Sequence, residues 1–184
     1  MKSYETSIIQ HKIPLKENQK PFKQKLRIVN LVLLPLVEKE IKNIYDVGII
    51  VSLRYSERIS NLVAFRKKTR EVRLCIYFRN LNKASLNDNY PLSKMDHILQ
   101  KVVGSQIISL LDGFSSYNQV LVLPSDQHET AFTTPWGTFM YVKMPFCLMN
   151  AGATFQRAMD IYVSENIGYF IIIYLDDITF FLQN

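Results

Sequence analysis

The stretch FIIIYLDDITFFL, residues 170–182, places two adjacent carboxylates, Asp176 and Asp177, between two runs of apolar and aromatic residues. Each run has the length of a buried strand, and the polar step between them reads as a hairpin connection. Two-residue hairpin turns favour Asn-Gly or Asp-Gly because they require positive φ. An Asp-Asp step without glycine combines poor turn chemistry with like-charge repulsion. Simple solvation of the turn is one explanation. The other is a site that draws cations to the pair.

A third carboxylate bears on that choice. SQIISLLD, 105–112, reads as a buried strand that closes on Asp112. If this strand and the two around Asp176-Asp177 share one antiparallel sheet, the three carboxylates converge at one edge. Three carboxylates in a partly dry site do not all stay ionised without cations. Hard oxygen donors of this kind suit Mg²⁺, which is held by one or two carboxylates together with substrate phosphates. Two such ions about 3.5–4 Å apart activate an attacking oxygen and stabilise a leaving one.

The residues around these carboxylates fit phosphate chemistry. DGFSSYNQ, 112–119, follows Asp112 with small residues whose backbone amides can cradle phosphate oxygens. Tyr117 falls just beyond them, either near a bound sugar or simply as a core aromatic. NLVAFRKK (61–68) and EVRLCIYFR (71–79) read as two strands around a Thr69-Arg70 connection, a hairpin that carries Arg66, Lys67, Lys68, Arg70, Arg73 and Arg79. Arg73 and Arg79 are six apart, so on one strand they share a face. Such a hairpin suits a triphosphate or a template backbone, or it is an edge strand protected by charge.

Charge divides the 184-residue chain. Residues 1–83 hold 18 Lys and Arg against 7 Asp and Glu, whereas residues 84–184 hold 4 against 9. A basic first half and an acidic second half suggest one surface for a polyanion and another for cations. The 48% hydrophobic content excludes a disordered chain. Cys75 and Cys147 form no CxxC spacing, so no zinc site or disulfide framework is indicated. MKSYETSIIQ is too polar for a signal peptide, and runs such as VNLVLLPLV (29–37) fall short of a membrane span. The expectation is a soluble intracellular protein with no membrane contact.

The remaining pattern is mixed. An extended, lysine-rich lead-in occupies residues 1–30. LVEKEIKNIYDV (36–47) sets Leu36, Ile41, Ile44 and Tyr45 at helical spacing and stops at Gly48. LSKMDHILQKVVG (92–104) is an amphipathic helix capped by Ser93, with Met95, Ile98, Leu99 and Val102 on one side. YNQVLVLP (117–124) alternates like a strand, TAFTTPWGTFMYVKM (130–144) reads as a hairpin, and Asn150 caps a helix reaching about Glu165. This order predicts an α+β fold, an antiparallel sheet with helices on one face.

The succession VRLCIYFRNLNKASLNDNYPLSKMDHIL (72–99), SLLDGFSSYNQV (109–120), TAFTTPWGTFMYVKMPFCLMNAGATFQRAMD (130–160) and YLDDITFF (174–181) resembles the reverse transcriptase of gypsy-type LTR retrotransposons. The resemblance runs from about His11 to the C-terminus. It implies a right-hand polymerase fold: fingers at 1–88, palm at 89–118, fingers again at 119–150, and palm at 151–184. It also implies RNA- or DNA-templated DNA synthesis from a primer with dNTPs and two Mg²⁺ ions, or Mn²⁺. Asp112, Asp176 and Asp177 match the catalytic metal-binding carboxylates. Ser115 and Ser116 match the turn that meets the triphosphate, and Tyr117 matches the gate against a ribose 2′-OH. Arg73 and Lys67 match triphosphate-holding residues. Pro145 and Phe146 match pocket contacts, while Arg79 and Gln156 match residues near the template and the site. The setting implied is a cytoplasmic retrotransposon particle, with the product reaching the nucleus.

Some positions depart from that pattern. Cys147 and Ser116 stand where the family has glycine, Tyr77 where it has aspartate, and Thr69-Arg70 where it has a glycine turn. Losing glycine matters where φ must be positive or a ligand approaches the backbone. The chain also stops seven residues after Asp177, before the thumb, connection and ribonuclease H domains that the resemblance implies. An exposed apolar face or edge is therefore expected near Ile178–Leu182. A catalytically inactive retrotransposon remnant that at most binds nucleic acid is the alternative reading. A two-metal nuclease would explain the carboxylates but neither Tyr117 nor the basic hairpin.

Overall fold

A computed structural model describes residues 3–66, 72–92, 95–112, 116–163, 169–174 and 177–182. The chain is α+β, as its sequence pattern predicts, but the smaller sheet has a helix on each face, where helices on one face were expected. α1 (Leu34–Asp46) leads into β1 (Ile50–Ser52), β2 (Ser60–Arg66), β3 (Val72–Ile76) and α2 (Arg79–Ala84). Then come α3 (Met95–Val102), β4 (Ile107–Asp112), β5 (Phe132–Thr134), β6 (Gly137–Tyr141), α4 (Ala151–Tyr162), β7 (Ile171–Tyr174) and β8 (Asp177–Leu182).

Two sheets result. One has five strands in the order β1-β6-β5-β2-β3, and the other has three in the order β4-β8-β7. The larger is antiparallel except where β2 runs parallel to β5 at Ser60–Phe132 and Asn61–Thr133. That short parallel contact joins two segments that are antiparallel hairpins in themselves, β2–β3 and β5–β6.

One apolar cluster runs through both sheets. Ile50, Leu62, Ile76, Phe132 and Tyr141 come from the larger sheet, and Ile171 and Ile173 from the smaller. Phe155 and Met159 of α4 lie in the same cluster. Phe132 sits 5.5 Å from Tyr141 and 5.9 Å from Phe139, ring centre to ring centre, so the larger sheet's inner layer is aromatic. Successive residues of a strand face opposite ways. Ile171 and Ile173 therefore meet the α4 side, while Ile172 joins Phe181 and Ile98 of α3 in a small cluster on the other.

α1 and α3 end where the sequence indicates, whereas α4 ends at Tyr162, short of Glu165, and the Asn150 side chain donates to Leu86 O and accepts from Asp88 N instead of capping it. Gly48 at φ +71° follows α1, and Gly104 at φ +85° follows α3, conformations that cost glycine little. The buried residues of α1 are Val37 and Ile41. Leu36 and Tyr45, expected in the stripe, are 40% and 46% exposed. Leu99 of α3 is likewise exposed, and the Ser93 cap lies outside the described residues.

Three further expectations are corrected. Residues 117–124 form no continuous strand: Ser116–Gln119 is a 3₁₀ turn, and Leu121 and Val122 make only isolated bridges to Lys143 and His11. Apolar alternation here reflects burial of Val120 and Val122 rather than ladder pairing. β3 stops at Ile76, so Arg79 opens α2 and shares no strand face with Arg73. β8 is the central strand of its sheet, covered by β4 and β7. The exposed apolar edge lies one strand over, on β4, where Ile107, Ile108, Leu110 and Leu111 are all 51% or more exposed.

The lead-in is stitched to the body by backbone bonds. Tyr4 N donates to Gln119 O, His11 N to Leu121 O, Lys16 N to Ala84 O and Gln24 N to Ile59 O, each at 2.8–2.9 Å. Arg58, buried, holds this arm through the carbonyls of Gln19 and Lys20 and pairs with Glu129 at 2.7 Å. These bonds satisfy an extended segment that has no ladder of its own.

Candidate active site

The register of the smaller sheet brings the acidic positions together. Asp112, the last residue of β4, is the direct partner of Asp177, the first residue of β8. Asp177 is also opposed by Tyr174 of β7, and it is exposed. Directly opposed positions of an antiparallel pair have Cβ atoms about 4.5–5.5 Å apart. Two sequence-distant aspartates thus share one end of one sheet. The connection between β7 and β8 is residues 175 and 176, so Asp177 belongs to a strand rather than to the turn tip. Asp176 itself lies outside the described residues, and Asp112 and Ser116 are described by their backbone alone.

After β4, Ser116–Gln119 form a 3₁₀ turn. Tyr117 is partly buried, its ring 5.2 Å from that of Phe155 on α4. Phe155 is 2% exposed, so the Tyr117 ring rests on a fixed base. Ser115 lies outside the described residues.

Gln156, the next residue of α4, is 4% exposed. Its amide nitrogen donates to Asp160 Oδ1 at 3.0 Å and approaches Ile173 O at 3.5 Å. It ties α4 to β7 one residue before Tyr174 and does not face an opening. Asp160 also accepts from the Tyr90 hydroxyl at 2.5 Å, and that bond, followed by burial, pushes the Tyr90 phenol up to about 12. Arg157 stacks on Tyr90 at 4.5 Å and holds both Asp88 oxygens at 2.9 and 3.0 Å. Sequence reading passed over this Tyr90–Asp160–Gln156–Arg157–Asp88 assembly. The i, i+4 spacing of Gln156 and Asp160 was the available signal.

The basic candidates lie on the larger sheet and on α2. Arg73 of β3 is exposed, and its guanidinium stands 5.8 Å from the Phe146 ring centre. Phe146 is 54% exposed, while Pro145 is buried. A guanidinium over an exposed ring is held ready for an anion. Arg79 donates to the Tyr77 hydroxyl at 3.2 Å and lines an open groove of about 650 Å³ with Lys16, Lys83, Cys75 and Cys147. Lys67 lies outside the described residues.

Cys147 fits its position without a glycine conformation. Among the described residues only Asn18 has positive φ besides glycine. The Cys147 thiol is taken up by Cys75, Sγ to Sγ 3.0 Å. Its backbone is held by Asn82 of α2, whose amide donates to Cys147 O and accepts from Met149 N, both at 3.0 Å.

The acidic end has the donor chemistry of a hard divalent cation: carboxylates without thiol or imidazole at the opposed positions. Among the described residues no group of three or more His, Cys, Asp or Glu could hold a metal ion, and Asp176 lies outside them. No helix among the described residues is long and apolar enough to cross a membrane.

Residues 65–184 match the family described as reverse transcriptase (RNA-dependent DNA polymerase). The chain is 32% identical over 153 residues to the retrovirus-related Pol polyprotein from transposon gypsy of Drosophila melanogaster, covering 80% of this chain and 15% of that protein. It is 34% identical over 107 residues to an RNA-directed DNA polymerase homolog of Oenothera berteroana, covering 58% of this chain and 75% of that one. The foamy viral protease-reverse transcriptase, solved in complex with RNA/DNA hybrid, superposes with a TM-score of 0.84 at 20% identity over 95% of this chain and 23% of its own. That likeness shows the fold. The chain thus spans a small part of the polyprotein it resembles.

Proposed function

Since the chain belongs to the reverse transcriptase family, we propose that it carries the nucleotidyl-transfer site of an RNA-directed DNA polymerase. The substrates would be dNTPs and a primer on an RNA or DNA template. The observation that supports this reading is the direct opposition of Asp112 and Asp177 across β4 and β8.

In the reaction the primer 3′-oxygen forms a bond to the α-phosphorus, the bond to the bridging oxygen of the β-phosphate breaks, and pyrophosphate leaves. The 3′-hydroxyl proton passes to solvent. Two divalent ions, Mg²⁺ with Mn²⁺ as a substitute, would be held by Asp112, Asp176 and Asp177 and would supply charge neutralisation at the attacking and leaving oxygens. The protein's own part is positioning and electrostatics. Arg73 and Lys67 take the β- and γ-phosphates. The backbone of Ser115 and Ser116 would meet the triphosphate, and Tyr117, which rests on Phe155, would act as the gate against a 2′-hydroxyl. Pro145 and Phe146 form the pocket wall, and Arg79 meets the template backbone. Gln156 acts as a positioning residue, through Ile173 and β7.

The test is primer extension: a labelled DNA primer on an RNA template, dNTPs, and Mg²⁺ or Mn²⁺, with Asp177→Asn beside the wild type. Extension that falls at least a hundredfold in the variant, about 2.7 kcal/mol of transition-state stabilisation, supports the proposal. A folded wild-type protein that binds primer–template without metal dependence and extends nothing would replace it with the inert-binder reading.

A further inference from the structure

Cys75 and Cys147 are the two cysteines of the chain, and they meet at 3.0 Å although 72 positions apart. Both are partly exposed on the wall of the groove formed with Lys16, Tyr77, Arg79 and Lys83. Cys75 lies two residues beyond Arg73 on β3, and Cys147 follows Phe146 directly. The thiols thus sit at the base of the two elements whose tips form the Arg73–Phe146 contact.

We propose that Cys75 and Cys147 form a reversible intramolecular disulfide by exchange with a small anionic disulfide, locking β3 to the 145–148 segment. A bonded pair needs an S–S length of about 2.05 Å, so the sulfurs must approach by about 1 Å. The 145–148 segment has no strand or helix of its own to resist that movement.

The chemistry balances with oxidised glutathione as the oxidant. One protein thiolate attacks a sulfur of the small disulfide and expels one glutathione thiolate. The second protein thiolate attacks the resulting mixed disulfide at the protein sulfur and expels the other. Two protein thiols become one disulfide and two molecules of glutathione are released, with both protons passing to solvent or the leaving thiolates. Lys16, Arg79 and Lys83 give the groove the charge to collect an anionic reagent. Burial, then the neighbouring Cys75 sulfur, pushes the Cys147 thiol up to about 12. Exchange is therefore expected to accelerate as pH rises.

The experiment uses the whole chain, folded, exposed to oxidised glutathione and read by intact mass and thermal unfolding. The expected product is a monomer lighter by two hydrogens, with both cysteines closed to alkylation. Its Tm should be higher by about 10 °C, as closing a long loop implies, and dithiothreitol should reverse the change. Cys147→Ser should take up one glutathione and show no such rise. Two glutathiones per wild-type chain, a disulfide-linked dimer, or unreactive thiols would each overturn the proposal. An effect of oxidation on dNTP use rests on the proposed function. Mass and Tm do not, so the failure of one is distinguishable from that of the other.

Discussion

Acid should loosen this fold through one histidine. His11 is 1% exposed, its Nδ1 2.9 Å from Thr154 Oγ1. Its backbone is fixed on both sides, with His11 N donating to Leu121 O and Leu123 N to His11 O. Burial lowers its pKa to about 4, against the opposing pull of Asp126 and Asp88. Those carboxylates are already engaged, Asp126 by Ile13 N at 2.7 Å and Asp88 by Arg157. In the unfolded chain the imidazole titrates near 6.5. Between these values the unfolded state binds more protons than the folded one. The contribution of His11 is thus complete above about pH 6.5 and is lost as pH falls through about 4. The gap corresponds to about 3 kcal/mol, or a fall in Tm of about 6–12 °C for a chain of this size. Thermal unfolding from pH 7.5 to 4 should show this slope, and His11→Gln should flatten it while lowering Tm at neutral pH. Because carboxylates add slopes of their own, the difference between the two proteins is the measured quantity. Equal slopes in wild type and variant, or an imidazole resonance of His11 titrating near 6.5 in the folded protein, would refute the reasoning.

Other outcomes follow from the packing and the site. Phe155→Ala should cost about 3–5 kcal/mol in urea unfolding, because it empties the space beneath Tyr117. Tyr117→Val should raise ribonucleotide incorporation at least tenfold relative to deoxynucleotide, about 1.4 kcal/mol, in single-turnover primer extension. Tyr90→Phe should cost about 1 kcal/mol by removing the bond to Asp160, read by chemical denaturation. Leu110→Lys, at a position 73% exposed on β4, should reduce self-association in sedimentation at unchanged Tm.

The sequence was most legible where local chemistry decides structure. The ends of α1 and α3 were marked by glycines, and the β5–β6 hairpin by the step through Pro135 and Trp136. The β7–β8 hairpin was legible because one arm is a continuous apolar run and the other, after Asp177, is interrupted only at Thr179. The apolar alternation of 117–124 misled because Val120 and Val122 are buried beneath an arm, and no strand pairs continuously beside them. The central place of β8 depends on pairing with β4, about seventy residues earlier, which no local pattern encodes. The contacts of Cys75 with Cys147, Tyr90 with Asp160 and Arg157 with Asp88 were hidden for the same reason, since tertiary packing alone brings those side chains together.

The central claim, that β4 and β8 assemble one carboxylate site for divalent ions, is tested most directly by counting bound Mn²⁺. Electron paramagnetic resonance would be recorded on protein holding a dideoxy-terminated primer–template and the next dNTP, for wild type, Asp112→Asn, Asp177→Asn and the double variant. The account predicts two ions per wild-type complex and fewer in each single variant. It also predicts that the double variant is no worse than the poorer single one, because the two residues serve one site. Undiminished Mn²⁺ in both single variants, with primer–template still bound, would contradict it.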